Sequence, residues 1–220
     1  MLLGEKYLIK NKKIFFFILA SITAFIDCYL APYISSNSSI LKFAFFDFTI
    51  VILFACFGSI ITRNVEFKSN SKDKSRAPFY IWSIITFLGL TLIAVNTYTW
   101  MLNYNGNIQN YKWLESLNYI GAVLISIRAA ITEEIIFRFF LFSFIFFIFS
   151  KFVDSRRSIL ILSILVSSFI FSFFLHSGSL VSFGAGIIIT YIFYKKGLVI
   201  SMIVHFLADV IPFLLISFRT

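Results

Sequence analysis

Residues 131–138 read Ile131-Thr132-Glu133-Glu134-Ile135-Ile136-Phe137-Arg138. Apolar residues dominate on both sides of this motif, from about 114 to 150. As one straight helix that stretch would be about 55 Å long, against a hydrocarbon core of about 30 Å. The length predicts two spans, 114–131 and 133–150, with the charged motif at their junction. Charged side chains are costly in such a sequence and tend to face a bundle interior or a watery cavity. That makes them functional-site candidates by default.

The remainder of the chain supports a membrane setting. Its 220 residues are 60% hydrophobic and 13% charged, with 31 Phe, a balance far from that of a soluble domain. Several apolar runs reach the roughly 20 residues that one crossing needs. The fold expected is all-α: a polytopic transmembrane helical bundle of about eight spans, at 14–34, 40–62, 79–102, 114–131, 133–150, 158–176, 179–194 and 198–217. Residues 1–113 supply N-terminal transmembrane helices and 114–217 a core, integrated into one membrane domain. Lys6, Lys10, Lys12 and Lys13 precede a long apolar run with no small-residue cleavage pattern, so the first helix is expected to be retained.

The net charge of +9 sits in loops, where basic residues orient helices and meet anionic lipid headgroups. Membrane lipid, and no nucleic acid, is the partner this implies. The basic loop 63–78 is expected on the cytoplasmic side. Eight spans place both termini inside but leave Lys151, Arg156, Arg157, Lys195 and Lys196 outside, against the charge rule. Seven spans restore the rule at the cost of one overlong or kinked helix through Glu133; eight is the preferred count. Richness in Phe, Ile, Lys, Asn and Ser points to an AT-rich bacterial genome, hence a bacterial cell membrane. Cys28 and Cys56 lie in apolar runs without a CxxC pair and are expected to be buried thiols.

Within the motif, Glu134 and Arg138 are spaced i, i+4 and share a helical face. Glu133 points about 100° away. One acid can be held by the arginine while the other serves as a general base; the plainer alternative is a structural ion cluster at a helix end. His176 closes the apolar run 169–175, and His205 opens His205-Phe206-Leu207-Ala208-Asp209; the chain has no other histidine. Alone, His176 reads as an interfacial or hydrogen-bonded residue. His205 and Asp209, again i, i+4, form either a polar helix–helix contact or a working pair. In a working pair His205 is metal ligand, proton donor or oxyanion stabiliser, and Asp209 orients it. Arg128 is an interfacial residue or a partner for an acid. Asp27 and Asp47, in the first two spans, are each candidates to face a cavity; for Asp27 a local pair or a place near an interface is the alternative. Gly184 and Gly186 are expected to let helices approach closely.

Taken together, Glu133-Glu134-x-x-x-Arg138, then His176, then His205-x-x-x-Asp209, with Gly184, Gly186, Tyr191, Lys195 and Gly197 between them, resembles the CPBP (Abi) family. That family includes the type II CAAX prenyl endopeptidases, and the resemblance spans roughly 114–215. It implies an intramembrane endopeptidase. Glu133 would activate water with His176 beside it, Glu134 and Arg138 would complete the first motif, and His205 and Asp209 would bind the developing oxyanion or help form the site. It leaves two routes open: zinc held by Glu133, His176 and His205 with an open position for water, or a metal-independent glutamate. The substrate class implied is a peptide precursor or membrane-protein tail. The competing function is a non-catalytic bacteriocin-immunity or scaffold protein of the same fold. The chain departs from the family in three places. Ser172 stands four residues before His176 where Phe is frequent, with Phe171 and Phe173 adjacent. Phe139 stands where Gly is frequent, and Asp209 where many members have Asn.

Overall fold

The computed structural model describes residues 12–34, 40–64, 89, 91–92, 94–97, 117–176 and 178–218. Among these every element is helical: α1 (Lys12–Ile34), α2 (Ile40–Asn64), α3 (Tyr119–Glu133), a π-helix (Glu134–Phe142), α4 (Ser143–Phe149), α5 (Arg156–His176), α6 (Leu180–Lys196) and α7 (Leu198–Ser217). Among the described residues four helices are long and apolar enough to cross a membrane: Lys12–Ala31, Leu41–Arg63, Arg156–His176 and Leu198–Ser217. Their outward faces carry Phe17, Phe25, Leu41, Phe45, Phe169 and Phe174 to the surface. Such faces are stable only against lipid, where the backbone must bond to itself and side chains need no water. The chain is therefore a helical integral membrane protein. Most of the basic loop 63–78, most of the third expected span and the loop after it lie outside the described residues.

The expected break at 131–133 is absent. Helix α3, the π-helix and α4, of 15, 9 and 7 residues, follow one another, and Glu133, Glu134, Phe142 and Ser143 all keep right-handed helical backbone angles. The motif lies in mid-helix. At the α-helical rise the combined rod is about 46 Å long. Asn118 starts it by accepting the Gly121 N–H on its side chain at 2.8 Å, an ordinary N-cap. A π-helix bonds i to i+5 and is rare beyond single turns, occurring often at functional sites. Here its buried residues recur every four positions, at Glu134, Arg138 and Phe142 and again at Ile135, Phe139 and Ser143. The result is a broad buried face holding both charge and ring.

Helix α1 packs on α2 and α3, and α2 on the π-helix; α5 packs on α6, and α7 runs against α3 and α6. The main core joins Phe16, Ala20, Val51 and Ala55 of the first two helices to Ile135, Phe139 and Phe142, then to Ile159, Phe193 and Met202. Gly197, at φ 86°, makes the tight turn between α6 and α7 that its place after Lys195-Lys196 suggests. A side chain is strained in that region, which glycine tolerates. Gly186 does sit close to a neighbour: a Cβ there would meet Ser168 at 3.0 Å. Gly184 has no such neighbour among the described residues. Cys28 and Cys56 are free, and they lie on exposed faces of α1 and α2 rather than in the core. Apolar periodicity in a span does not distinguish a lipid face from a packed one.

Candidate active site

The six motif residues come from three places. Glu133, Glu134 and Arg138 lie on the long central helix, His176 ends α5, and His205 and Asp209 lie on α7. Glu134 and Arg138 are fully buried. Arg138 Nη1 lies 3.2 Å from Glu134 Oε1, the i, i+4 pair anticipated from spacing. The same carboxylate oxygen is 2.8 Å from His205 Nδ1. The other ring nitrogen, Nε2, faces Asp209 Oδ2 at 3.3 Å and Glu133 Oε2 at 3.5 Å. One imidazole thus stands among three carboxylates from two helices. Both nitrogens can donate to these acids only when the ring carries two protons.

Glu133 differs from its neighbour. Its side chain keeps 20% exposure where Glu134 has none, although the Oε2 atoms of both are buried without a hydrogen-bond partner. Sequence-adjacent acids project in different directions from a helix, so one is locked between arginine and histidine and the other stands beside Nε2 with its side chain partly exposed. That arrangement suits a carboxylate that takes a proton from water.

His176 reaches this cluster through Phe171. The two ring centroids are 5.0 Å apart, and Phe171 is 6.5 Å from the His205 ring. Arg138 meets the same phenyl ring, its guanidinium carbon 4.1 Å from the Phe171 centroid, a cation–π contact strengthened by burial. The histidine in contact with Glu133 is accordingly His205. Phe171 was visible in the sequence only as a neighbour of Ser172. Ser172 itself secures a turn. Its hydroxyl donates to the Ser179 carbonyl at 2.7 Å, and its own carbonyl accepts the Gly178 N–H at 3.0 Å. These bonds fasten the chain that follows His176. At Phe139 the departure from glycine is matched on the facing helix. A Cβ on Gly58 would fall 2.5 Å from the Phe139 ring, so the small residue stands on α2 instead.

Two groups outside the expected set also meet the site's helices. Arg128 binds Asp27 of α1 through Nε and Asp47 of α2 through Nη2, each at 2.5 Å, and lies over the Phe43 ring. Both acids that the first two spans carry are therefore partners of one arginine. Asn96 reaches Asp209: its amide nitrogen donates to Oδ1 at 3.3 Å and to the Ala208 carbonyl at 2.9 Å. Among the described residues no three His, Cys, Asp or Glu side chains converge as a metal-ligand set. Of the trio that would hold zinc, Glu133 and His205 stand together, and His176 meets them through the Phe171 ring.

Residues 115–211 match the family model described as type II CAAX prenyl endopeptidase Rce1-like. That match supports membership of the CPBP family. No curated protein and no solved structure matches the chain. The Rce1-like region contains all six motif residues and Arg128. It stops just before Pro212 and leaves out α1, α2 and Asn96.

Proposed function

We propose that this protein is an intramembrane endopeptidase of the CAAX-protease type that cleaves a peptide or membrane-protein segment with Glu133 as general base. The observation that carries the reading is the partly exposed Glu133 carboxylate beside His205 Nε2, inside an Rce1-like region. Water held at Glu133 gives it a proton and attacks the scissile carbonyl. His205, charged and flanked by Glu134 and Asp209, donates to the oxyanion. Collapse breaks the C–N bond, and the proton on Glu133 passes to the leaving amine. Arg138 keeps Glu134 ionised and in place, and Phe171 sets the distance between His176 and the charged cluster. The steps use carboxylate, imidazole and water alone. A peptide library incubated with purified protein should yield products carrying solvent oxygen at the new carboxyl end, at a rate indifferent to chelator. Loss of cleavage on chelation, restored by zinc, would replace this route with the metal one; an unaltered library would remove the endopeptidase reading.

We further infer seven spans. With 119–149 as one crossing, the basic loops at 63–78, 151–157 and 195–197 all come to the same side as the lysine-rich start, as the charge rule requires. The contacts of α1 with α3 and of α2 with the π-helix, and of Asp27 and Asp47 with Arg128, support residues 1–113 and 114–217 as one integrated domain. A reporter fused after Thr220 should be active only when it senses the side opposite the 63–78 loop. Activity on the same side would restore the eight-span count.

A further inference from the structure

We propose that Asn96 is a positioning residue for Asp209, seated on a backbone carbonyl that Pro212 leaves open. In an α-helix the carbonyl of Ala208 would accept the N–H of residue 212. Pro212 lies inside α7 and has no N–H to give. In a bilayer that carbonyl must be satisfied from within the protein, and the Asn96 side chain does so at 2.9 Å. The second N–H of the same amide is then directed at Asp209 Oδ1, 3.3 Å away. Both contacts are acceptors only, so the amide nitrogen, and never its oxygen, must face them. Leu92, one turn earlier, buries itself against Ile189 and Ala208, which brings Asn96 to the proline break.

The consequence for the site lies in the other oxygen of Asp209. With Oδ1 held by Asn96, Oδ2 is presented to His205 Nε2 at 3.3 Å, the nitrogen that also faces Glu133. A carboxylate free to rotate would offer either oxygen or neither. Asn96 thus acts on His205 through Asp209, from a segment that the Rce1-like region does not include. This rests on Asp209 and His205 working in the endopeptidase site proposed above.

The chain has two histidines, so ring-labelled full-length protein in lipid nanodiscs gives two sets of imidazole nitrogen signals by NMR. Asn96→Ala should move the His205 signals and their pH titration. It should also lower kcat about tenfold with KM unchanged, the low end of the usual loss for an outer partner of a site residue. In an Asp209→Ala background Asn96→Ala should add nothing to either readout. An open carbonyl can itself unfold the helix, so the comparison is repeated with Pro212→Ala, whose new N–H satisfies Ala208; Asn96→Ala should still move His205 there. The proposal is overturned if His205 does not respond in either background, or responds equally when Asp209 is already alanine. A His205 response in protein that cleaves no peptide would leave Asn96 as a positioning residue and remove the endopeptidase reading. Cleavage with an unresponsive His205 would do the reverse.

Discussion

Arg128 and Arg138 lie on the same long helix and both meet buried carboxylates, yet they build different things. Arg128 stands between two acids brought by two other helices, Asp27 and Asp47, and grips each with a separate nitrogen. Arg138 holds a single acid from its own turn, Glu134, and lays its face on Phe171. The surplus carboxylates around it, Glu133 and Asp209, are left to His205. A guanidinium stays charged at every accessible pH, so acids tied to it make a permanent fastening. An imidazole exchanges protons near neutrality, so acids left to it remain open to chemistry. The first cluster joins the N-terminal helices to the core; the second leaves Glu133 held only by an imidazole, at a partly exposed edge.

The contrast can be broken by removing each cation in turn. Arg128→Ala strips two buried acids of the arginine that binds them and should have the largest effect on folding, about 3–5 kcal/mol, read as a fall in thermal unfolding temperature in detergent. Unchanged stability would mean that Asp27 and Asp47 are hydrated and that the N-terminal helices do not depend on them. Arg138→Ala leaves Glu134 its bond to His205, so its cost should lie near the bottom of that range, about 3 kcal/mol. Should Arg138→Ala prove the more damaging of the two, the assignment of fastening and site would have to be exchanged.

Much of this was legible in the chain. Spans 14–34, 158–176 and 198–217 agree with α1, α5 and α7 to within a turn, because apolar length alone defines a crossing. The Glu134–Arg138 and His205–Asp209 pairs followed from i, i+4 spacing. What spacing could not supply was anything between helices. Arg128 had two acids to choose from and takes both. Phe171 works where Ser172 had drawn notice, because contacts at a helix end depend on how the turn after it is pinned. The continuous helix through Glu133 was hidden by its length, which argued for a break. A π segment leaves no clear mark on hydrophobic periodicity. Asn96 did have a signal: Pro212, one turn beyond Ala208, announces a carbonyl in need of a donor, although not where the donor comes from.

The central claim is that Glu133, and not its locked neighbour, takes the proton from water. The direct measurement is turnover of a cleaved peptide by nanodisc-embedded wild-type and Glu133→Gln proteins with matched unfolding temperatures. Glutamine keeps the shape and removes the base, so kcat should fall by roughly 10²–10⁴, the contribution expected of general acid–base catalysis. A folded Glu133→Gln protein that turns over at the wild-type rate would contradict the account.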